Sequence, residues 1–229
     1  MSEFGTRKSR PRDAQRSRET ILNAAEAVFA RYGFNGARIS AIVKASGYNT
    51  SLLFQYYTDK PGLYVAVLMR TDQELNSLLA TVLTPWLTGG KDILDAQVFR
   101  EFLQTLVRST FDYLVKHPQF TRILTWELAE GWKTYLQIAS QFAAGESGQI
   151  KALFRAAYDA GLLRSDFYAE IQLTFVLHLC QSYYASLPLY QMLLAGEDIS
   201  SSSALVRARE YIVAFVVAGM MTNSSAESS

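Results

Sequence analysis

The sequence predicts an all-α protein: an N-terminal helix-turn-helix domain of three helices followed by a longer all-helical region. Apolar residues recur at intervals of three and four through most of the chain, and no segment shows the alternation of a half-buried strand. Glycines, prolines and cap-forming polar residues punctuate the periodic segments where helices would start and stop.

With 229 residues and 49% apolar side chains, the chain has enough material for a sizeable core. The first twenty residues carry repeated arginines and no continuous apolar stretch, which is not a signal-peptide pattern, so a cytoplasmic protein is expected. Cys180 is the sole cysteine, which excludes an internal disulfide and a cysteine-based zinc site of the usual kind; neither metal nor cofactor is expected. The net charge of +1 conceals an asymmetry. Up to Lys60 there are ten Lys and Arg against five Asp and Glu, and beyond it twelve against sixteen. The basic part is drawn to a polyanion and the remainder is not. Arg7, Lys8, Arg10 and Arg12 form a basic arm over residues 1–12.

The first helix is expected from about Asp13 to Tyr32, with Ile21, Leu22, Ala25, Val28, Phe29 and Tyr32 on one face and Gly33 as its stop. A second helix of about two turns turns Ile39, Ile42 and Val43 inward and is closed by Gly47. Asn49 is a suitable N-cap for the third helix, and Asp59 for the fourth, whose first turn tolerates Pro61. In the third helix Leu52, Leu53, Tyr56 and Tyr57 supply the packing, which leaves Thr50, Ser51, Phe54 and Gln55 nearer the outside. Such a helix can enter a DNA groove. Glutamine can bond an adenine edge in bidentate fashion, and threonine offers a hydroxyl to a base and a methyl to thymine. Lys60 and Arg38, each at the start of a helix, suit phosphate.

Residues 18–63 resemble the DNA-binding domain of the TetR family of bacterial transcriptional regulators. The resemblance is carried by Ile21-Leu22, Ala24-Ala25, Val28-Phe29, Gly33, Ala37, Ile42, Ala45, Gly47, Leu52-Leu53, the aromatics Phe54, Tyr56 and Tyr57, and Lys60 with Leu63. It implies base-reading positions at Ser40, Thr50, Ser51 and Gln55, and phosphate positions at Arg38, Asn49, Phe54, Tyr56 and Lys60. Three residues depart from the family's habit: Phe54 stands where tyrosine is usual, Tyr48 where valine is common, and Ser51 where glycine is common. On this resemblance residues 13–60 are the DNA-binding domain, 61–221 a regulatory, ligand-binding and dimerisation domain, and 222–229 a polar tail.

From Pro61 the fourth helix is expected to run to about Leu83 and to end before Pro85. After Gly89-Gly90, a stripe of Phe99, Phe102, Leu103, Leu106, Val107, Phe111, Leu114 and Val115 marks a long helix that ends at His117-Pro118. A short helix follows over about Gln119 to Glu130, then a stretch with Trp132, Tyr135, Ile138 and Phe142. A loop at Gly145 to Gly148 precedes a helix through Ala160, closed by Gly161. Between Glu170 and Glu197 lie 26 residues without a formal charge, long enough to span a bilayer. Its scattered Gln, Ser, Thr and His residues, and Pro188, argue instead for a helix buried in its own domain on one side and against a partner on the other. The last helix, about Ser203 to Met220, repeats this with Ala204, Leu205, Ala208, Tyr211, Ile212, Phe215, Val216 and Gly219. Two such helices from each of two subunits form a four-helix interface, and the resemblance implies the same homodimer.

The resemblance also implies a palindromic operator in double-stranded DNA, repression, and release by a small molecule bound in the regulatory domain. Phe102, Leu106, Trp126, Phe175 and His178 are the candidates for its site, an aromatic and mostly uncharged lining that suits an apolar or aromatic effector. No catalytic constellation is present: His178 and Cys180, two positions apart on a helix, point to nearly opposite sides. An enzyme is therefore not expected. The alternative from a different class is a constitutive DNA-binding or architectural protein without an effector.

Overall fold

The computed structural model describes residues 11–90, 92–138 and 146–222. Arg7, Lys8 and Arg10 of the expected arm, Phe142, Gly145 and the tail beyond Thr222 lie outside the described residues. The helices are α1 (Pro11–Gly36), α2 (Ile39–Ser46), α3 (Thr50–Tyr57), α4 (Lys60–Thr88), α5 (Ala96–Lys116), α6 (Pro118–Ala129), α7 (Lys133–Ile138), α8 (Glu146–Asp159), α9 (Ala169–Ala185), α10 (Leu187–Leu193) and α11 (Ser202–Met220). The single bridge of β type among the described residues joins Leu163 to Met221. The chain divides into two compact units. The first holds α1 to α3, the start of α4 and the part of α6 from Arg122 onward with α7; the second holds the rest.

In the first unit, Ile21, Ala25, Phe29, Ile42, Leu53, Leu63 and Val67 are fully buried, as their spacing on each helix requires. The regular part of α1 stops at Gly33, whose φ of 67° and ψ of 177° break the helix before it resumes as a last turn to Gly36. That break frees the carbonyl of Ala30 from its helical donor. Two groups from α6 take its place: Arg122 Nε donates to it at 3.2 Å and Trp126 Nε1 at 3.2 Å. The Trp126 ring then lies so close to Gly33 that a β-carbon there would meet it at 2.9 Å. Beneath this joint Phe29, Phe34 and Tyr64 pack ring against ring, with Phe29 and Tyr64 edge to face at 4.7 Å. The Tyr64 hydroxyl donates to the buried carboxylate of Glu127 at 2.7 Å, and the Tyr135 amide donates to its other oxygen at 2.9 Å. Burial and this carboxylate push the Tyr64 phenol well above its ordinary pKa, so it remains a donor at any physiological pH. Arg70 closes the side of the unit against Glu26 and Asn23.

In the second unit α5 is the central helix, packed against α9 and α11, while α9 also contacts α8 and α11. Asp95 caps α5 by accepting from the amides of Gln97 and Val98, and the predicted stripe from Phe99 to Leu114 is buried. Phe99 meets Phe154 of α8 and Phe111 meets Tyr183 of α9. The α5–α11 seam carries two ion pairs at its edge, Arg108 with Glu210 and Arg209 with Asp112, each at 2.8 Å. Cys180 is fully buried with its thiol toward the Val107 carbonyl, and burial pushes its pKa up to about 12, so it packs as a small apolar group.

The expected boundaries need two corrections. α4 does not end before Pro85 but runs through it to Thr88. Proline so near a helix end removes a single backbone bond, and the added turn carries Trp86 onto Phe102, with ring centroids 6.0 Å apart. Gly148 lies inside α8 rather than in a loop. A glycine in the first turn costs a helix little, and Ile150, Leu153, Phe154 and Ala157 behind it supply a buried face. No helix among the described residues is long and apolar enough to cross a membrane.

Gly33→Ala should destabilise the protein by about 1–3 kcal/mol, because alanine resists this backbone conformation and its methyl meets the Trp126 ring. Thermal melting followed by circular dichroism checks it; an unchanged melting temperature would mean that the α1–α6 joint can re-form without glycine.

Candidate nucleic-acid interface

The turn between α2 and α3 is built from local hydrogen bonds. Gly47 adopts the left-handed conformation at φ 73° and donates to the Val43 carbonyl at 3.0 Å, and the Tyr48 amide donates to Ser46 Oγ at 3.3 Å. Asn49 then caps α3, its Oδ1 accepting from the Leu52 amide at 2.9 Å. At the far end Thr58 closes α3, and Asp59 Oδ1 accepts from the Gly62 amide at 2.7 Å to start α4. Both predicted caps are present.

This frame decides which side chains of α3 point out. Leu53 and Tyr57 are buried, and Tyr57 donates its hydroxyl to the Arg18 carbonyl at 2.9 Å, tying α3 to α1. Thr50, Ser51, Phe54 and Gln55 are exposed, together with Asn49 ahead of them and Arg38 and Ser40 at the start of α2. Tyr56 is half-buried beside the Arg18 guanidinium, 5.6 Å from its ring centroid. Lys60 is also half-buried: its ammonium lies 4.8 Å from the Phe34 ring centroid and 3.5 Å from the Asn35 carbonyl, so one of its donors is already engaged. The exposed row follows the first turn of a capped helix, where unpaired amides give a positive end. Chemically it is a short, rigid, uncharged reading edge with cations beside it, which suits a polyanion with readable base edges.

Two features of this surface had no sequence signal. Tyr48 accepts a hydrogen bond from Ser17 Oγ at 3.1 Å, which fastens the turn to α1. Arg18 sits over both Tyr56 and Tyr57, which places a cation at the base of α3. Each joins residues more than thirty positions apart, where periodicity is silent.

The five residues named for a small-molecule site fall in both units. Trp126 belongs to the first unit, bonded to Ala30. In the second unit Phe102 and Leu106 are buried on α5, whereas Phe175 is 42% exposed on α9, stacked on Phe167 at 5.7 Å. His178 is half-buried on the same helix, and burial lowers its pKa, so its imidazole is neutral at pH 7.

Two family models match the chain. Residues 21–67 match the family model described as bacterial regulatory proteins, tetR family, and residues 100–216 match the tetracyclin repressor-like, C-terminal domain. The chain is 30% identical over 182 residues to the HTH-type transcriptional repressor NicS of Pseudomonas putida, covering 78% of this chain and 81% of that one. It is 26% identical over 181 residues to the HTH-type transcriptional regulator RutR of Escherichia coli K12, covering 77% of each. Among solved structures, a TetR family transcription regulator from Marinobacter aquaeolei VT8 superposes with a TM-score of 0.64 at 17% identity, over 93% of this chain and 100% of that one.

Substitution of Asn49 separates its two tasks. Asn49→Ala should cost about 1 kcal/mol of stability through the lost cap. Asn49→Asp keeps the cap and should leave the melting temperature unchanged, yet weaken DNA binding by about tenfold, ~1.4 kcal/mol, because it places a negative charge before the reading edge. Loss of stability in the Asp variant, or undiminished DNA binding, would count against this division.

Proposed function

Because this chain belongs to the TetR family of bacterial transcriptional regulators, we propose that it is a repressor that binds a palindromic operator as a homodimer and is released by a small apolar or aromatic effector. The observation that carries the reading is the exposed row Thr50, Ser51, Phe54 and Gln55 on a helix capped at both ends and tied to α1. Ser40, Thr50, Ser51 and Gln55 read bases; Arg38, Asn49, Tyr56 and the free donors of Lys60 hold phosphates, with Phe54 giving ring contact. The repressor function of NicS, the relative at 30% identity, supports repression as the mode.

A single helix of eight residues touches few bases, so two copies related by a twofold axis are needed for a useful site. The outward sides of α9 and α11 supply the means. Ile171 and Phe175 on α9, and Tyr211 and Phe215 on α11, are large apolar side chains left exposed while the opposite faces of both helices are buried. On this reading Phe175 and His178 serve the subunit interface and Trp126 serves the α1–α6 joint. Phe102 and Leu106, with the aromatics Trp86 and Phe99 about Phe102, remain to line the effector site in the second unit. α4 and α6, each contributing residues to both units, carry the response. Linkage then requires DNA and effector to weaken one another's binding by the same factor.

Fluorescence-anisotropy titration on DNA from upstream of its own gene, against shuffled DNA at two salt concentrations, tests the reading. A preference that persists at higher salt is expected; equal, salt-labile binding to both would point to a non-specific anchor. Lys60→Ala should weaken binding to all sequences and reduce the salt slope by about 1, whereas Gln55→Ala should relax the preference at particular positions by about 1–3 kcal/mol. Equal losses on specific and random DNA for both variants would contradict these roles. An effector should raise the melting temperature saturably and release the DNA.

A further inference from the structure

The segment between α9 and α11 is firmly built. Tyr190 of α10 packs on Tyr183 of α9 with ring centroids 5.6 Å apart. Gln191 donates Nε2 to the Glu197 carbonyl at 2.6 Å and accepts from the Ile199 amide at 3.2 Å, and Ile199 is buried. Asp198 accepts from both the amide and the hydroxyl of Ser200, and Ser201 caps α11 by accepting from the Ala204 amide. What this framework presents to solvent is apolar: Leu189 is 52% exposed, Met192 68%, Leu193 66% and Leu194 52%. Four large apolar side chains held outward by a bonded framework mark a contact surface, since ordering them gains nothing in the isolated chain.

The charge pattern identifies the occupant. The charge-free run 171–196 does not stop where α9 stops at Ala185; it continues through α10 and ends at Glu197. Beyond it stand Glu197, Asp198 and Arg207, an exposed charged margin in which Arg207 lies 3.6 Å from Glu197. Charge depletion in the middle with charges at the edge is the make-up of one interface core and its rim. α10 is joined at both ends to the two helices that expose Ile171, Phe175, Tyr211 and Phe215. We propose that α10 with Leu194 is a second clamping element of the subunit interface, covered by a second copy of this chain. The inference rests on the reading that α9 and α11 form the dimer.

Sedimentation velocity of the full chain over a concentration series tests it, with the Met192→Glu/Leu193→Glu double variant and Phe215→Glu. The double variant should retain its helical circular dichroism and raise the dimer dissociation constant about a hundredfold, because each subunit buries two charges against the other. Cysteine labelling gives an independent readout, since Cys180 is fully buried. Met192→Cys should react with a maleimide at least about tenfold more slowly in the dimer than when combined with Phe215→Glu. If Phe215→Glu dissociates the dimer while the double variant associates like the parent protein and the thiol labels equally fast in both backgrounds, the α10 inference falls and the α9–α11 interface stands. If only the double variant dissociates the dimer, α10 is not an addition to an α9–α11 interface, and both readings are overturned. A parent protein that is monomeric throughout overturns both.

Discussion

The first unit depends on one backbone constraint, the break in α1 at Gly33. Continuing the helix would have satisfied the Ala30 carbonyl internally, and in the observed backbone any residue with a β-carbon at this position would meet the Trp126 ring. With the break, one carbonyl accepts from both Arg122 and Trp126, and the segment from Arg122 onward becomes part of the core around α1 and α4. The buried Glu127 carboxylate follows from the same placement. A buried charge is tolerated only with partners, and here the Tyr64 hydroxyl and the Tyr135 amide serve, while the Trp132 amide donates to the Glu127 carbonyl. Remove the close approach at Gly33 and these partners lose their register.

What was legible in the sequence is what local chemistry decides. Gly47, Asn49 and Asp59 each act within four residues of their own position, and each does so with the predicted partner type. Because those caps fix the rotation of α3, the outward set Thr50, Ser51, Phe54 and Gln55 was also legible. The misses are non-local or depend on a balance of small terms. Pro85 is a helix breaker by propensity, yet packing of Trp86 on Phe102 outweighs one lost bond. Trp126 reads as one more aromatic candidate for a small-molecule site; nothing nearby in sequence says that its indole bonds to α1. Tyr48, noted only as a departure from family habit, works through Ser17, thirty-one positions away.

The two units have opposite charge and different interior chemistry, and this division suits their tasks. On the proposed reading the first carries its DNA-binding chemistry on exposed backbone-capped turns, where rigidity would preserve the spacing of the reading side chains. The second is an aromatic and aliphatic core around α5, with its ion pairs, among them Arg108–Glu210 and Arg209–Asp112, at the margins of the core. An apolar ligand gains from such an interior only by displacing packing, so its binding shifts the population of arrangements in proportion to its preference for one of them. A ligand without that preference, however tightly held, would regulate nothing.

Twofold symmetry would set how the outward apolar surfaces of α9, α10 and α11 are used. In a twofold interface every residue is used twice, so the exposed side chains of one copy are met by the same set on the other, and no separate complementary surface has to evolve. It also means that a large uncharged face is hazardous when left open, because a second, non-closing contact would propagate into filaments. On the proposed interface a rigid α10 at the end of the α9–α11 face would answer that hazard: by covering more of the partner it would favour the closed pair over any lateral contact that uses only part of the face. The framework bonds of Gln191 make sense in these terms, since a clamp that had to order itself on binding would forfeit in entropy what it gained in contact.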